Sequence, residues 1–189
     1  HSWRFGQTTH TPNTVFVSNS LVGGNGVDSI VLRKPSIRVV LVGDVLLHQG
    51  LHQQALTNPN GHRSLWRDLV PIFAQADIAY ANLEGPMAQG VTSQGRVVVD
   101  LGQVFDKRVY TSYPMFNYHA SLAHDLQASG VDVVSTANNH ALDRHSIGVD
   151  KTLDVLSEAT ILATGTRRST SPTSTWAARM QVSGWTVSF

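Results

Sequence analysis

Asp44, Glu84, Asn139 and His140 are the residues on which chemistry can be built in this chain, because carboxylate, amide and imidazole are the groups that bind divalent cations and move protons. Each stands where an apolar run breaks off. Residues 37–48 read IRVVLVGDVLLH, in which the mostly β-branched run 39–42 predicts a strand buried on both faces, with Asp44 at its carboxyl end. In parallel sheets the loops leaving that edge converge on ligands. DIAYANLEG at 77–85 and VDVVSTANNH at 131–140 repeat the pattern, delivering Asn82 and Glu84, then Asn138, Asn139 and His140. His48 adds a further imidazole. Such a mixture of oxygen and nitrogen donors suits Mg, Mn, Fe or Zn. Two such ions ~3.5 to 4 Å apart polarise a phosphoryl oxygen and generate hydroxide, while a nearby histidine protonates the leaving group. Asp143, three residues beyond His140, is placed to orient that imidazole through its second nitrogen.

Every member also has a plainer reading. Gly-Asp is ordinary turn chemistry, and Asn-Asn is a good helix N-cap. Glu84 before Gly85-Pro86 also fits a solvated loop charge. Among the nine histidines, His52, His62, His119 and His124 default to exposed or internally satisfied roles. The case for a site rests on three strand ends repeating the pattern.

The positioning elements follow from periodicity. After the first strand, residues 50–62 are polar and end in the turn cluster NPNGH. Ser64 is a candidate cap for a helix over 65–75, with Pro71 forcing a kink or a late start. Residues 87–115 show no sustained period apart from RVVVDL at 96–101, and a connection this long predicts a functional or mobile segment, such as a lid. A helix is expected over 117–129 with Gly130 as its C-cap, another over 147–158, and a strand at 161–163. This order predicts an α/β fold with a mostly parallel, helix-covered sheet over 37–189. Residues 1–36 read as a loosely ordered polar leader with a short strand near 29–32. Residues 164–175 read as polar loop, and the terminal GWTVSF reads as a strand without a partner, which predicts truncation of the domain at its C-terminus.

Composition narrows the function classes. The 189 residues suffice for one domain, and 14% charged residues with 41% hydrophobic residues suit a compact globule. A net charge of +1 offers no field for nucleic acid or an anionic membrane, so neither partner is expected. Without cysteine, any metal must use oxygen or imidazole. No apolar run reaches the ~20 residues that cross a bilayer, although an anchor preceding His1 is compatible with a chain that lacks an initiator methionine. No G-x-G-x-x-G or P-loop pattern supports a nucleotide-binding module.

The motifs GDVLLH at 43–48, ANLEGP at 81–86, ANNHALD at 137–143 and TGT at 164–166 together resemble the bacterial capsule-synthesis family of CapA and PgsA, the poly-gamma-glutamate synthesis accessory proteins. The resemblance covers 37–189 in the right order. It implies a metallophosphatase-like α/β sandwich of the calcineurin type, with a dinuclear site at the strand ends. On that footing Asp44 matches the first motif's aspartate, Glu84 and Asn82 the second, and Asn139-His140 the pair in which Asn binds metal and His serves as acid. His145 stands where the family usually has a glycine, and Ala159-Thr160 where it usually has Ala-Gly. The family's later His-rich motifs would fall beyond Phe189, so this chain alone is expected not to hold two metals. Two functions follow: a metal-dependent hydrolase acting on a phosphoester or on the amide or ester bonds of an anionic polymer, or a noncatalytic accessory factor for polymer export or assembly. Either would work with capsule-synthesis machinery at the cell envelope or outside the cell, anchored by an upstream segment.

Overall fold

The computed structural model describes residues 36–171 and 176–189, and the unit considered runs Ile37–Phe189. Residues 1–35 of the expected leader, including the strand expected near 29–32, lie outside the described residues. Four strands, β1 (Val39–Val45), β2 (Ile78–Leu83), β3 (Val133–Ser135) and β4 (Leu162–Thr164), form a parallel sheet whose order follows the chain. Helices α1 (Gln49–Thr57), α2 (Val70–Phe73), α3 (Ser121–Ala128) and α4 (His145–Glu158) fill the connections.

Because each crossover steps to the next strand in the same direction, right-handed connections lay every helix on one face of the sheet. Ala79, Ala81, Leu83 and Val134 meet Phe73, Leu122, Leu126 and Leu156 in the main core. The opposite face is covered by an antiparallel hairpin, β5 (Arg179–Val182) and β6 (Trp185–Ser188), with Phe189 stacked on Tyr80 at 5.6 Å between ring centres. Two expectations change as a result. The terminal strand has a partner, supplied by the preceding residues across the Ser183-Gly184 turn. The first strand is not buried on both faces: it is an edge strand, and Val39 and Leu41 remain 39% and 67% exposed.

Local chemistry explains the other departures. Residues 49–57 are helical although they carry no continuous apolar stripe, because His52 and Ala55 supply the buried side. The helix expected over 65–75 breaks into two 3-10 turns, Gly61–Leu65 and Arg67–Leu69, and a single α turn that starts at Pro71's first-turn position. Ser64 does not cap it; its hydroxyl donates to Gly61 O.

Residues 87–120 hold no regular helix or strand, yet they are not a loose lid. Met87, Val91, Val109, Tyr110, Phe116 and Tyr118 are buried. Arg144, at 0% exposure, donates to Val91 O, Val109 O and Thr111 Oγ1, while the Asn117 amide donates to Ala88 O and Val109 O. A buried guanidinium surrounded by carbonyls holds such a segment because removing it would leave several acceptors without donors. The outer stretch around Val97, Val99 and Leu101 is exposed. Among the described residues, no helix is long and apolar enough to cross a membrane.

His52 lies between Phe105 and Tyr118 at 5.2 Å from each ring, with Nε2 buried and without a hydrogen-bond partner among the described residues. Burial, with a smaller contribution from His62, lowers its pKa from 6.5 to about 4. Burial also lowers that of His62, against the pull of Asp125 2.9 Å away. The unfolded chain therefore binds more protons than the fold between pH 6.5 and about 4, so stability is present in full above pH 6.5 and falls as pH drops through that window. The His52 contribution is on the order of 3 kcal/mol. Urea unfolding across pH 4 to 8 is expected to show this decline, and His52→Phe, which removes the orphaned nitrogen, is expected to flatten it.

Candidate functional site

Parallel register brings the polar groups together. Asp44 on β1 lies opposite Asn82 on β2, after an irregularity between Leu41 and Asp44 that resets the pairing. Asn82 Nδ2 donates to Asp44 Oδ1 at 2.7 Å and to Glu84 Oε2 at 3.2 Å. From the loop after β3, Asn138 Nδ2 donates to Asn82 Oδ1 at 3.2 Å and to Leu83 O at 2.8 Å, fixing which end of Asn82 faces the acids. Asn138 Oδ1 accepts the His140 amide at 3.1 Å, so one side chain sets both the neighbouring amide and the approach of the imidazole.

His140 Nδ1 lies 2.8 Å from Asp143 Oδ2, and the same oxygen accepts the Phe116 amide at 2.6 Å. The other ring nitrogen, Nε2, is 4.0 Å from Glu84 Oε1. With Nδ1 turned to Asp143, Nε2 is the nitrogen presented to the acidic side of the site. Burial raises the Glu84 carboxyl above its ordinary range; the charge of Asp44 and a hydrogen bond shared with it act in the same direction, and His140 opposes them.

The structure thus gathers Asp44, Asn82, Glu84, Asn138, His140 and Asp143 at the carboxyl edge of three adjacent strands. Asn139 is exposed beside them, with no hydrogen bond among the described residues. His48 caps α1 by position and its ring rests 5.5 Å from Phe116, which also meets His140 at 4.7 Å, edge to face.

Two aromatic residues of the site escape any motif. Phe116 orients Asp143 through its backbone and walls His140 with its ring. Tyr118 OH donates to Glu84 O at 2.7 Å and accepts from Leu47 N at 3.3 Å, joining the ends of β1 and β2. Both come from the aperiodic segment after β2, where the aromatic run FNY at 116–118 is the one visible signal. Gly85, at φ 134°, passes so close to them that a Cβ would sit 2.9 Å from Phe116 and Tyr118 atoms. A larger residue would push Glu84 out of the site.

The donor types fit a hard divalent cation: two carboxylates crowd one amide, and one has its ionisation disfavoured by the other. The donor number does not close a site. Among the described residues, no three His, Asp or Glu side chains are gathered closely enough to hold an ion.

Comparison with known proteins adds the family. Residues 38–189 match the bacterial capsule synthesis protein family PGA_cap. The chain belongs to it. Family membership and the four-stranded parallel sheet agree with a metallophosphatase-like α/β fold. Among curated proteins, the uncharacterized proteins y4uA and y4sH of Sinorhizobium fredii (strain NBRC 101917 / NGR234) are each 29% identical over 134 residues, which is 67% of this chain. The chain spans about a quarter (24%) of the length of either relative.

Asp143→Asn is expected to cost about 1 to 3 kcal/mol, because it replaces the charged oxygen that accepts from both Phe116 N and His140 Nδ1 with a neutral, weaker acceptor. Nitrogen-15 spectra of the imidazole should show His140 losing its fixed Nδ1-H form. Unchanged stability together with an unchanged tautomer would contradict the arrangement.

Proposed function

We propose that this chain supplies the phosphoester-handling edge of a metal-dependent hydrolase or transferase that acts in capsule polymer synthesis. The observation that carries the reading is the convergence of two acids, a committed asparagine pair and an Asp-oriented histidine from three strand ends. Asp44 and Glu84, with the exposed Asn139, would hold the divalent cation (Mn, Mg, Fe or Zn), and the remaining positions would be taken by water or by residues outside those described. When bound, the cation supplies charge that polarises a phosphoryl oxygen.

The chain's own residues do the rest. Asn82 and Asn138 keep the acids facing one another. Asp143 holds the Nδ1 proton of His140, so that Nε2 is the ring nitrogen turned to the leaving oxygen and can pass it a proton. Phe116 shields that pair from water on one side. A formal charge of +1 gives no extended basic track, so a small phosphoester fits the site better than stable binding of a polyanion such as poly-gamma-glutamate. The cell envelope is the compartment this reading implies.

A second reading, a noncatalytic accessory factor for polymer export or assembly, draws support from the open donor set and from acids already engaged by Asn82. Turnover of bis(p-nitrophenyl) phosphate separates the two, measured on this chain and on a polypeptide extended to the length of its relatives. The hydrolase reading expects Mn- or Zn-dependent turnover that falls at least about 100-fold in Asp44→Asn and His140→Ala. No metal-dependent turnover, with capsule production unaffected by either variant, would favour the accessory factor.

A further inference from the structure

Residues 96–108 are the outer part of the aperiodic segment, and their acids and their cations face different ways. Asp100 is turned inward: Oδ2 accepts Gly90 N at 2.9 Å and Tyr110 OH at 2.6 Å, and Oδ1 accepts Gly102 N at 2.6 Å. Asp106 turns back on its own loop, where Oδ1 accepts the amides of Arg108, Val109 and Tyr110. These are the two acids of residues 87–120, and both are engaged within the segment. The bond from Tyr110 to Asp100 also joins the 96–102 stretch to the turn at 106–110, so the two share one surface.

What remains outside is apolar and cationic. Val97, Val99 and Leu101, at alternate positions, are 65%, 84% and 66% exposed. Arg96, Lys107 and Arg108 are exposed and have no ion-pair partner among the described residues. Tyr113, 71% exposed, lines a shallow hollow together with Lys107. Chemistry selects the partner. Protein interfaces are centred on aromatic and arginine anchors seated in pockets, and lysine is depleted there. Here short aliphatic side chains stand in water beside lysine and arginine, with a tyrosine at the margin. Aliphatic side chains for the acyl boundary, cations for headgroup phosphates and an amphipathic ring between them suit peripheral contact with an anionic bilayer. A net charge of +1 gives no long-range pull, and this contact needs none, because the cations act within about 8 to 10 Å of the headgroups.

We infer that residues 96–108 are a peripheral docking surface for an anionic lipid bilayer, with Val97, Val99 and Leu101 entering the acyl boundary while Arg96, Lys107 and Arg108 pair with headgroup phosphates. The inference does not depend on metal chemistry at the strand ends, because none of these residues belongs to that centre.

The 189-residue chain has no cysteine, so one introduced thiol takes an environment-sensitive fluorophore at a single place. The test titrates chains labelled at Val99→Cys, or at Ile72→Cys on the exposed side of α2, with vesicles of phosphatidylcholine alone or mixed with phosphatidylglycerol. The label at position 99 is expected to brighten and shift to the blue on the phosphatidylglycerol vesicles, and the label at position 72 to stay unchanged. In the position 99 chain, Lys107→Gln and Arg108→Gln are each expected to weaken vesicle binding roughly fivefold. Leu101→Asp is expected to weaken it at least about tenfold, and Leu101→Ser serves if that variant does not fold. No response at position 99, or an equal response at position 72, overturns the proposal. Equal binding to phosphatidylcholine alone, or binding that survives these substitutions, overturns it too. A response at position 99 that grows with protein concentration when no vesicles are present overturns it in favour of contact between copies of the chain.

Discussion

One amide nitrogen, Asn82 Nδ2, is shared by two carboxylates that would otherwise repel one another at a partly buried sheet edge. The rest of the site follows from keeping that amide in place. Parallel pairing puts Asp44 opposite Asn82, and Asn138 grips the carbonyl end of Asn82 so that only its NH2 group can face the acids. Asn138 is itself fixed by the loop after β3. There Thr136 bonds to Thr164 O and to the Thr166 hydroxyl, and Gly165, at φ 100°, packs where a Cβ would fall 2.4 Å from that of Ala137. The short TGT segment is therefore a structural clamp behind the chemistry.

A second constraint acts from the other side. Arg144 ties the aperiodic segment between β2 and α3 to the start of α4, while the neighbouring Asp143 accepts from that segment at Phe116. Adjacent residues thus anchor the wall of the site and orient its histidine. The segment looks like a long loop in sequence and behaves as core, because its backbone polar groups are met by a buried guanidinium and an asparagine amide instead of by a ladder.

What the sequence made legible was whatever depends on local pattern. The strand ends carrying Asp44, Glu84 and His140, the helices expected over 117–129 and 147–158 and found at 121–128 and 145–158, and the spacing of Asp143 from His140 all follow from period, punctuation and the reach of neighbouring side chains. What depended on distant partners was not legible. Whether the run 39–42 is buried depends on strand order, which put all the helices on one face. The terminal strand's partner is hidden because Ser183-Gly184 is a weaker hairpin signal than Asn-Gly or Asp-Gly. Phe116 and Tyr118 reach the site from a segment with no period at all. In the Asn pair, position alone could not say that Asn138 turns inward and Asn139 outward; the bonds to Asn82 and Leu83 decide it.

Family membership places the chain among the bacterial capsule synthesis proteins, and the geometry supplies a centre whose donors suit a cation without enclosing one among the described residues. In the function proposed above, residues from three strands form a single cation-seeking edge. Substoichiometric Mn2+ added to the nitrogen-15-labelled chain tests it most directly, because paramagnetic broadening reports proximity to the ion. The amide signals of Asp44, Glu84 and residues 138–140 are expected to broaden together and before any others. Broadening that begins instead at the outer-loop acids Asp100 and Asp106, or that spreads evenly over the surface, would contradict it.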